Sequence, residues 1–217
     1  MSYERQRREM VARQLRARGI TDSRVLAAMA AVPREHFVGR DQSHDAYADQ
    51  PLPIGGGQTI SQPYVVAHMA ELAEIRPSDR VLDVGVGSGY QTAVLAHLAG
   101  QVFGVEIRRE LAELAEQRLA ELGLAALVRV GDGGYGWSEY APYDAILVAA
   151  AAEQPPVPLL AQLADGGRMV IPIGDPMRQD LMRIVRRGDD FERGNFGPVR
   201  FVTFMGDYGE RLAPGRN

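Results

Sequence analysis

Residues 81–90 read VLDVGVGSGY, an apolar run that breaks into three alternating glycines and then resumes with helical spacing. A turn of this kind joins a buried strand to a helix and lets the backbone approach a ligand that a Cβ would block. Further apolar runs follow at residues 102–105, 127–130, 145–149 and 169–173, with helical patterns between them near 90–98, 110–122 and 159–163. Gly100 and Gly123 stop two of those helices. Short buried strands alternating with helices predict an α/β fold with a doubly wound, mostly parallel, Rossmann-like sheet. The tail breaks the alternation. Leu181–Val185 and Val199–Phe204 flank a polar, glycine-containing stretch, which predicts an antiparallel hairpin at the sheet edge.

The glycine spacing narrows the ligand. A dinucleotide turn has the pattern G-x-G-x-x-G and sets a pyrophosphate on the helix N-terminus. Here Gly85, Gly87 and Gly89 give G-x-G-x-G, and Asp83 stands two residues before the first of them. A carboxylate there repels a pyrophosphate and suits a cation, so the electrostatics favour S-adenosylmethionine, which carries a sulfonium and an ammonium. Glu106, just beyond the second strand, is placed to accept from ribose hydroxyls. Asp132 and Gly133, in GDGGYG after the third strand, are placed to meet an adenine edge.

Residues 1–60 differ from the rest. The pattern predicts a helix over 3–18 ended by Gly19, and a second helix begun by Thr21 or Asp22 and ended by Pro33. Residues 39–60, with Pro51, Pro53 and three consecutive glycines at 55–57, read as a long functional loop. A helix over 63–75 then leads into the core. We therefore expect one structural domain, with residues 1–60 contributing to the substrate site and residues 61–217 forming the cofactor-binding core. The absence of cysteine excludes thiolate chemistry and disulfides. All 24 basic residues are arginine, which excludes Schiff-base lysines and the P-loop lysine. With a formal net charge of −4, the chain lacks the basic face of a nucleic-acid binder. With no apolar run of membrane-spanning length and no apolar signal core, it reads as cytoplasmic and away from membranes. The four histidines lack metal-ligand spacing and read as structural or solvated.

With these residues placed, the chain resembles the protein-L-isoaspartate O-methyltransferases. The most specific stretch is LPIGGGQTISQPYVVAHM at 52–69; RGITDSRVLAAMAAVPREHFV at 18–38, YDAILVAAAA at 143–152 and VRFVTF at 199–204 extend the likeness over nearly the whole chain. The resemblance implies methyl transfer from S-adenosylmethionine to carboxylates of isoaspartyl residues in damaged proteins and peptides. It makes Ser61 the active-site serine and puts Gln58 and Thr59 in the substrate loop. Asp83, Gly85, Glu106, Asp132 and Gly133 match cofactor-contacting positions, and Ile54, Gly55 and Gly57 belong to a segment that closes over the donor. Val86, Ala149 and Thr203 depart from residues frequent in that family. Ser61 also precedes Gln62-Pro63 and a helix, an N-capping position in its own right.

Other readings share parts of this pattern. A methyltransferase of the same build could act on aspartates of a dedicated peptide partner, and a nicotinamide-dependent oxidoreductase has a related turn with different glycine spacing. A cofactor-binding module without catalysis is a third. A nucleic-acid amino-methyltransferase lacks support, because the fourth strand ends in Ala149–Ala152 without a motif to clamp a base.

Overall fold

A computed structural model describes residues 2–210 of the chain. Strands β3 (Arg80–Val84), β4 (Gln101–Glu106), β5 (Leu127–Val130), β6 (Tyr143–Val148), β7 (Leu163–Gly174), β8 (Gln179–Arg187) and β9 (Asp190–Val199) form one sheet in the order β5-β4-β3-β6-β7-β8-β9. The first five positions of that order pair in parallel; β7–β8 and β8–β9 pair antiparallel. The strand alternation sorts side chains to two faces. Val81, Val102, Ala145 and Val170 pack on one face. Leu82, Phe103, Ile146 and Met169 pack on the other. The predicted fold class is the observed one.

Helices α3 (Pro63–Leu72), α4 (Tyr90–Ala96) and α5 (Arg109–Glu121) bury their apolar sides on the first face, as does α2 (Ser23–Ala31), whose N-cap Asp22 accepts from the Arg24 N–H. Helix α6 (Val157–Ala161) lies with the second face. Met10, Leu15, Phe37, Leu52 and Ile60 share the cluster of the first face, so residues before 61 are built into the same core. The expected core ran to residue 217, and 211–217 lie outside the described residues.

Several expectations need correction. The first helix is α only over Tyr3–Met10 (α1); a π turn, Val11–Leu15, and a 3-10 turn, Arg16–Arg18, carry it to Gly19, which ends it in the left-handed region as expected. The region read as a long loop contains a 3-10 turn, Ser43–Asp45, and a hairpin of β1 (Leu52–Gly55) and β2 (Gln58–Ile60), with Leu52 opposite Ile60 and both buried. Strands of three and four residues holding a proline are too short to display a period of two. Leu163 begins β7 rather than ending a helix. The tail hairpin exists, but its outer strand is Asp190–Val199, a polar edge strand that reads as a loop. The apolar stretch 200–204 leaves the sheet instead and runs beside residues 151–152, where Ala151 N donates to Val202 O and Phe204 N donates to Ala151 O (2.8 and 2.7 Å).

Candidate active site

The chain leaves β3 for β4 and β5 on one side and returns to β6 on the other, so the carboxyl ends of β3, β4 and β6 open a crevice where the strand order reverses. Open α/β sheets bind their ligands at such switch points. Gly85 N donates to Val105 O (2.9 Å) and Ala149 N to Val84 O (2.8 Å), which ties the three strand ends together. The cleft above them is walled by Gly85–Ser88, Glu106, Gly133 and Ala149 from the sheet side, and by Gln58–Ser61 and Thr203–Met205 from the other. Gly85 and Gly87 have φ of +84° and +53°, conformations that L side chains rarely adopt.

Glu106 and Arg108 bring opposite charges to the cleft wall. Glu106 is the buried one. It is 5% exposed; one carboxylate oxygen accepts from Gly87 N (2.8 Å) and the other from Arg108 N (2.9 Å). Each oxygen keeps a second lone pair for a ligand hydroxyl. Behind it, Gln91 donates through Nε2 to Asp83 (2.8 Å), while its buried Oε1 has no partner in the wall of the cleft. An unpartnered acceptor beside a carboxylate suits an ammonium donor.

Three predicted cofactor positions, Asp83, Asp132 and Gly89, do not line the cleft. Asp83 is fully buried beneath the turn, bound by Gln91 and by the Thr92 hydroxyl (2.6 Å), and does not reach the cleft. Its hydrogen-bond partner Gln91 lines the cleft in its place. Burial pushes its carboxyl up to about 6, against the Thr92 and Gln91 hydrogen bonds that favour the anion, and the nearby Glu106 charge adds to the rise. Asp132 caps the turn Gly133–Tyr135, accepting from Gly134 N and from Asp207 N of the tail (2.8 Å each); Gly133, not Asp132, lines the cleft. Gly89 serves packing, since a Cβ there would stand 3.2 Å from the Ala115 Cβ of α5. The hairpin tip, Ile54–Gly57, lies over the glycine turn. Ile54 Cδ1 stands 3.4 Å from where a Gly87 Cβ would be, and Gly56 faces Arg108. Gly55 and Gly57 have φ of +94° and +74° with open space beside them.

Ser61, Thr59 and Gln58 line the cleft. Gln62, without a side-chain capping bond, takes the N-cap position of α3 that Ser61 was expected to fill. The Ser61 hydroxyl makes no hydrogen bond among the described residues, while its carbonyl accepts from Arg34 Nη1 (2.8 Å). Thr59, Ser61, Ala149 and Val202 also border a second cleft of 840 Å³, walled by Arg18, Tyr64, His68, Phe196 and Arg200. His68, expected to be structural or solvated, is half-buried in this wall and stacks on Tyr64 at 5.6 Å; burial lowers its pKa. Sequence reasoning missed Gln91, Arg34 and this second wall. The 199–204 stretch was the available signal, but it reads as a sheet strand.

Fold and crevice define a class I methyltransferase architecture. The family model for protein-L-isoaspartate(D-aspartate) O-methyltransferase matches residues 5–209. The chain is similar to a protein-L-isoaspartate O-methyltransferase of Methylorubrum populi, 54% identical over 92% of this chain and 94% of that one. A namesake from Syntrophus aciditrophicus is 47% identical over 95% and 97%. Among solved structures, a protein-L-isoaspartate O-methyltransferase aligns with TM-score 0.85 at 29% identity, covering 94% of this chain and 67% of that one. A Plasmodium falciparum protein described as a β-aspartate methyltransferase, in complex with S-adenosyl-L-homocysteine, aligns with TM-score 0.79 at 26% identity, over 91% and 97%. The chain belongs to the protein-L-isoaspartate(D-aspartate) O-methyltransferase family and is an enzyme.

Proposed function

We propose that the chain performs its family's reaction, transfer of a methyl group from S-adenosylmethionine to the free carboxylate of L-isoaspartyl and D-aspartyl residues, at the junction of the two clefts. The observation that carries this reading is that Thr59, Ser61, Ala149 and Val202 belong to both walls, so a donor in one and a peptide in the other meet there. The donor cleft fits its group: backbone without Cβ at Gly85 and Gly87, lone pairs of Glu106 for ribose hydroxyls, and the orphaned Gln91 oxygen for an ammonium. When bound, the donor supplies an electrophilic methyl on a sulfonium.

The rest falls to the chain. Ser61 offers a hydroxyl uncommitted to other bonds, which orients the acceptor carboxylate in line with the methyl. No general base is required, because a free α-carboxyl with a pKa near ~3.3–3.7 is already ionised at neutral pH. Anion and cation lose charge together on reaction, so alignment and exclusion of water carry the rate, the former by roughly 7–11 kcal/mol. The strap at 203–205 and the hairpin at 52–60 cover the junction from two sides. The ester formed collapses to a succinimide that can hydrolyse to normal aspartate.

We assign this work to damaged proteins and peptides of the cytoplasm. The cysteine-free composition fits a reducing compartment, and among the described residues no helix is long and apolar enough to cross a membrane. The test is transfer of labelled methyl to matched isoaspartyl and aspartyl peptides. The reading requires selective labelling of the former and a base-labile product; equal turnover, or a product stable to mild alkali, overturns it.

A further inference from the structure

We propose that Arg34 is a positioning residue for the acceptor: a buried cation without a counter-ion that fixes the Ser61 backbone and turns its charge toward the incoming carboxylate. This rests on the function proposed above. Arg34 belongs to the 3-10 turn Arg34–Phe37 and is 0% exposed. Its guanidinium is spent on three backbone carbonyls: Nε donates to Ala46 (2.6 Å), Nη1 to Ser61 (2.8 Å) and Nη2 to Gln50 (3.3 Å). Its Cζ lies 5.0 Å from the ring centroid of Tyr90, which lines the donor cleft. Among the described residues no carboxylate pairs with it; Glu35, its neighbour in the chain, is held by the Tyr47 hydroxyl instead.

Three neutral carbonyls do not explain a full charge at this place. A buried ion without a partner is strongly disfavoured, and neutral amides could bridge the same carbonyls at lower cost. Burial does pull the guanidinium down, to about 10, but it remains a cation at neutral pH. Low-dielectric surroundings extend its field, and the accessible point its bonds single out is the junction beside Ser61. An anion docking there acquires the partner that Arg34 lacks. Because the acceptor carboxylate loses charge as the methyl transfers, the attraction is strongest before reaction. It therefore acts on binding more than on the chemical step.

The experiment compares two ligands in the presence of S-adenosylhomocysteine: an isoaspartyl peptide, and the same peptide with a carboxamide replacing the free carboxylate. Calorimetric affinities are measured for the wild-type chain, Arg34→Lys and Arg34→Gln. Wild type should favour the carboxylate. Arg34→Gln should weaken the carboxylate peptide by about tenfold or more, while the amide changes by less than about twofold. Arg34→Lys, which keeps the charge and loses the fork, should weaken both peptides to a similar degree and keep the preference. Equal weakening of both ligands in Arg34→Gln marks a purely structural role and overturns the proposal. So does an unchanged preference in that variant. If Arg34→Gln does not fold, the lysine variant decides, and loss of preference there overturns the idea. A wild-type chain that methylates the isoaspartyl peptide yet binds both ligands equally refutes only the role of Arg34. A wild-type chain that methylates neither refutes the function itself.

Discussion

Asp83 should make the ligand-free protein more stable on mild acidification. Its carboxyl is fully buried, and desolvation lifts it from the ordinary 3.8 to about 6 despite hydrogen bonds from Thr92 and Gln91. The folded pKa lies above the unfolded one, so the native state binds the proton more tightly. That stabilising contribution is complete below about pH 3.8 and is lost as pH rises through about 6. At about 1.4 kcal/mol per pH unit, the ionised form costs the native state about 3 kcal/mol at pH 7.5. Going from pH 7.5 to 5.0 recovers about half of this. Asp83→Asn removes the titration and keeps the partners, since the amide oxygen still accepts from Gln91 and the amide nitrogen can donate to the Thr92 oxygen. Urea unfolding of wild type and variant at both pH values isolates the effect, because every other titrating group is common to the two. The variant should be the more stable at pH 7.5, by up to about 3 kcal/mol, and should lack most of the gain that the wild type makes on going to pH 5.0. Identical pH responses, or a variant less stable at pH 7.5, would refute the reasoning.

Ser61→Ala should lower kcat/KM at least about tenfold while leaving S-adenosylhomocysteine affinity intact and stability within about 0.5 kcal/mol, because the hydroxyl holds no bond in the fold. A stability loss with normal activity per folded molecule would return Ser61 to a structural part. Glu106→Ala should weaken S-adenosylhomocysteine binding by a few kcal/mol at most, through lost charge-assisted bonds and a slackened Gly87 turn; titration calorimetry showing unchanged affinity removes Glu106 from the donor site. At saturating donor, the single-turnover rate should stay nearly flat from pH 8 to 5.5, since the acceptor carboxylate is ionised down to about pH 4–5. A log-rate slope near one across that range would implicate a titrating base, with half-buried His68 in the peptide cleft the first to examine.

The parallel core was legible because its signals are local. Each strand from β3 to β6 is a short segment of four to six residues dominated by apolar side chains, and β3, β4 and β5 each adjoin a glycine. What escaped were elements whose reason lies across the fold. Strand β9 mixes charged residues, glycines and aromatics without a period of two and is mostly exposed, so nothing in its own pattern asks for a sheet; pairing with β8 makes it a strand. The reverse holds at 200–204, where Phe201, Val202 and Phe204 have strand composition, but their neighbours are Ala151 and the site, not a ladder. Local propensity is a weak prior where tertiary context supplies the partners.

The candidate site divides along the same line. Gly85, Gly87 and Glu106 could be placed from spacing alone, because a strand-turn-helix unit carries its own geometry and a cleft at its carboxyl end follows from topology. Asp83 and Asp132 stand near the cleft, yet in both the carboxylate is taken by donors of the protein itself. A carboxylate at a strand end has two ways to settle, outward to a ligand or inward to nearby donors, and sequence position does not choose between them. Thr92 and Gln91, one turn into α4, take Asp83; Gly134 N and Asp207 N take Asp132. The second cleft was less legible still, since it joins Arg18, Pro51, Ala149 and Leu181 to residues 59–68 and 196–202, segments that share no local pattern. Buried Arg34 shows why. Its partners are carbonyls of Ala46, Gln50 and Ser61, and a backbone carbonyl carries no residue identity, so no motif announces the contact. The donor cleft rests on residue types at fixed spacing, whereas the backbone of Ser61, where the two clefts meet, is held by a guanidinium whose other partners, Ala46 and Gln50, line neither cleft.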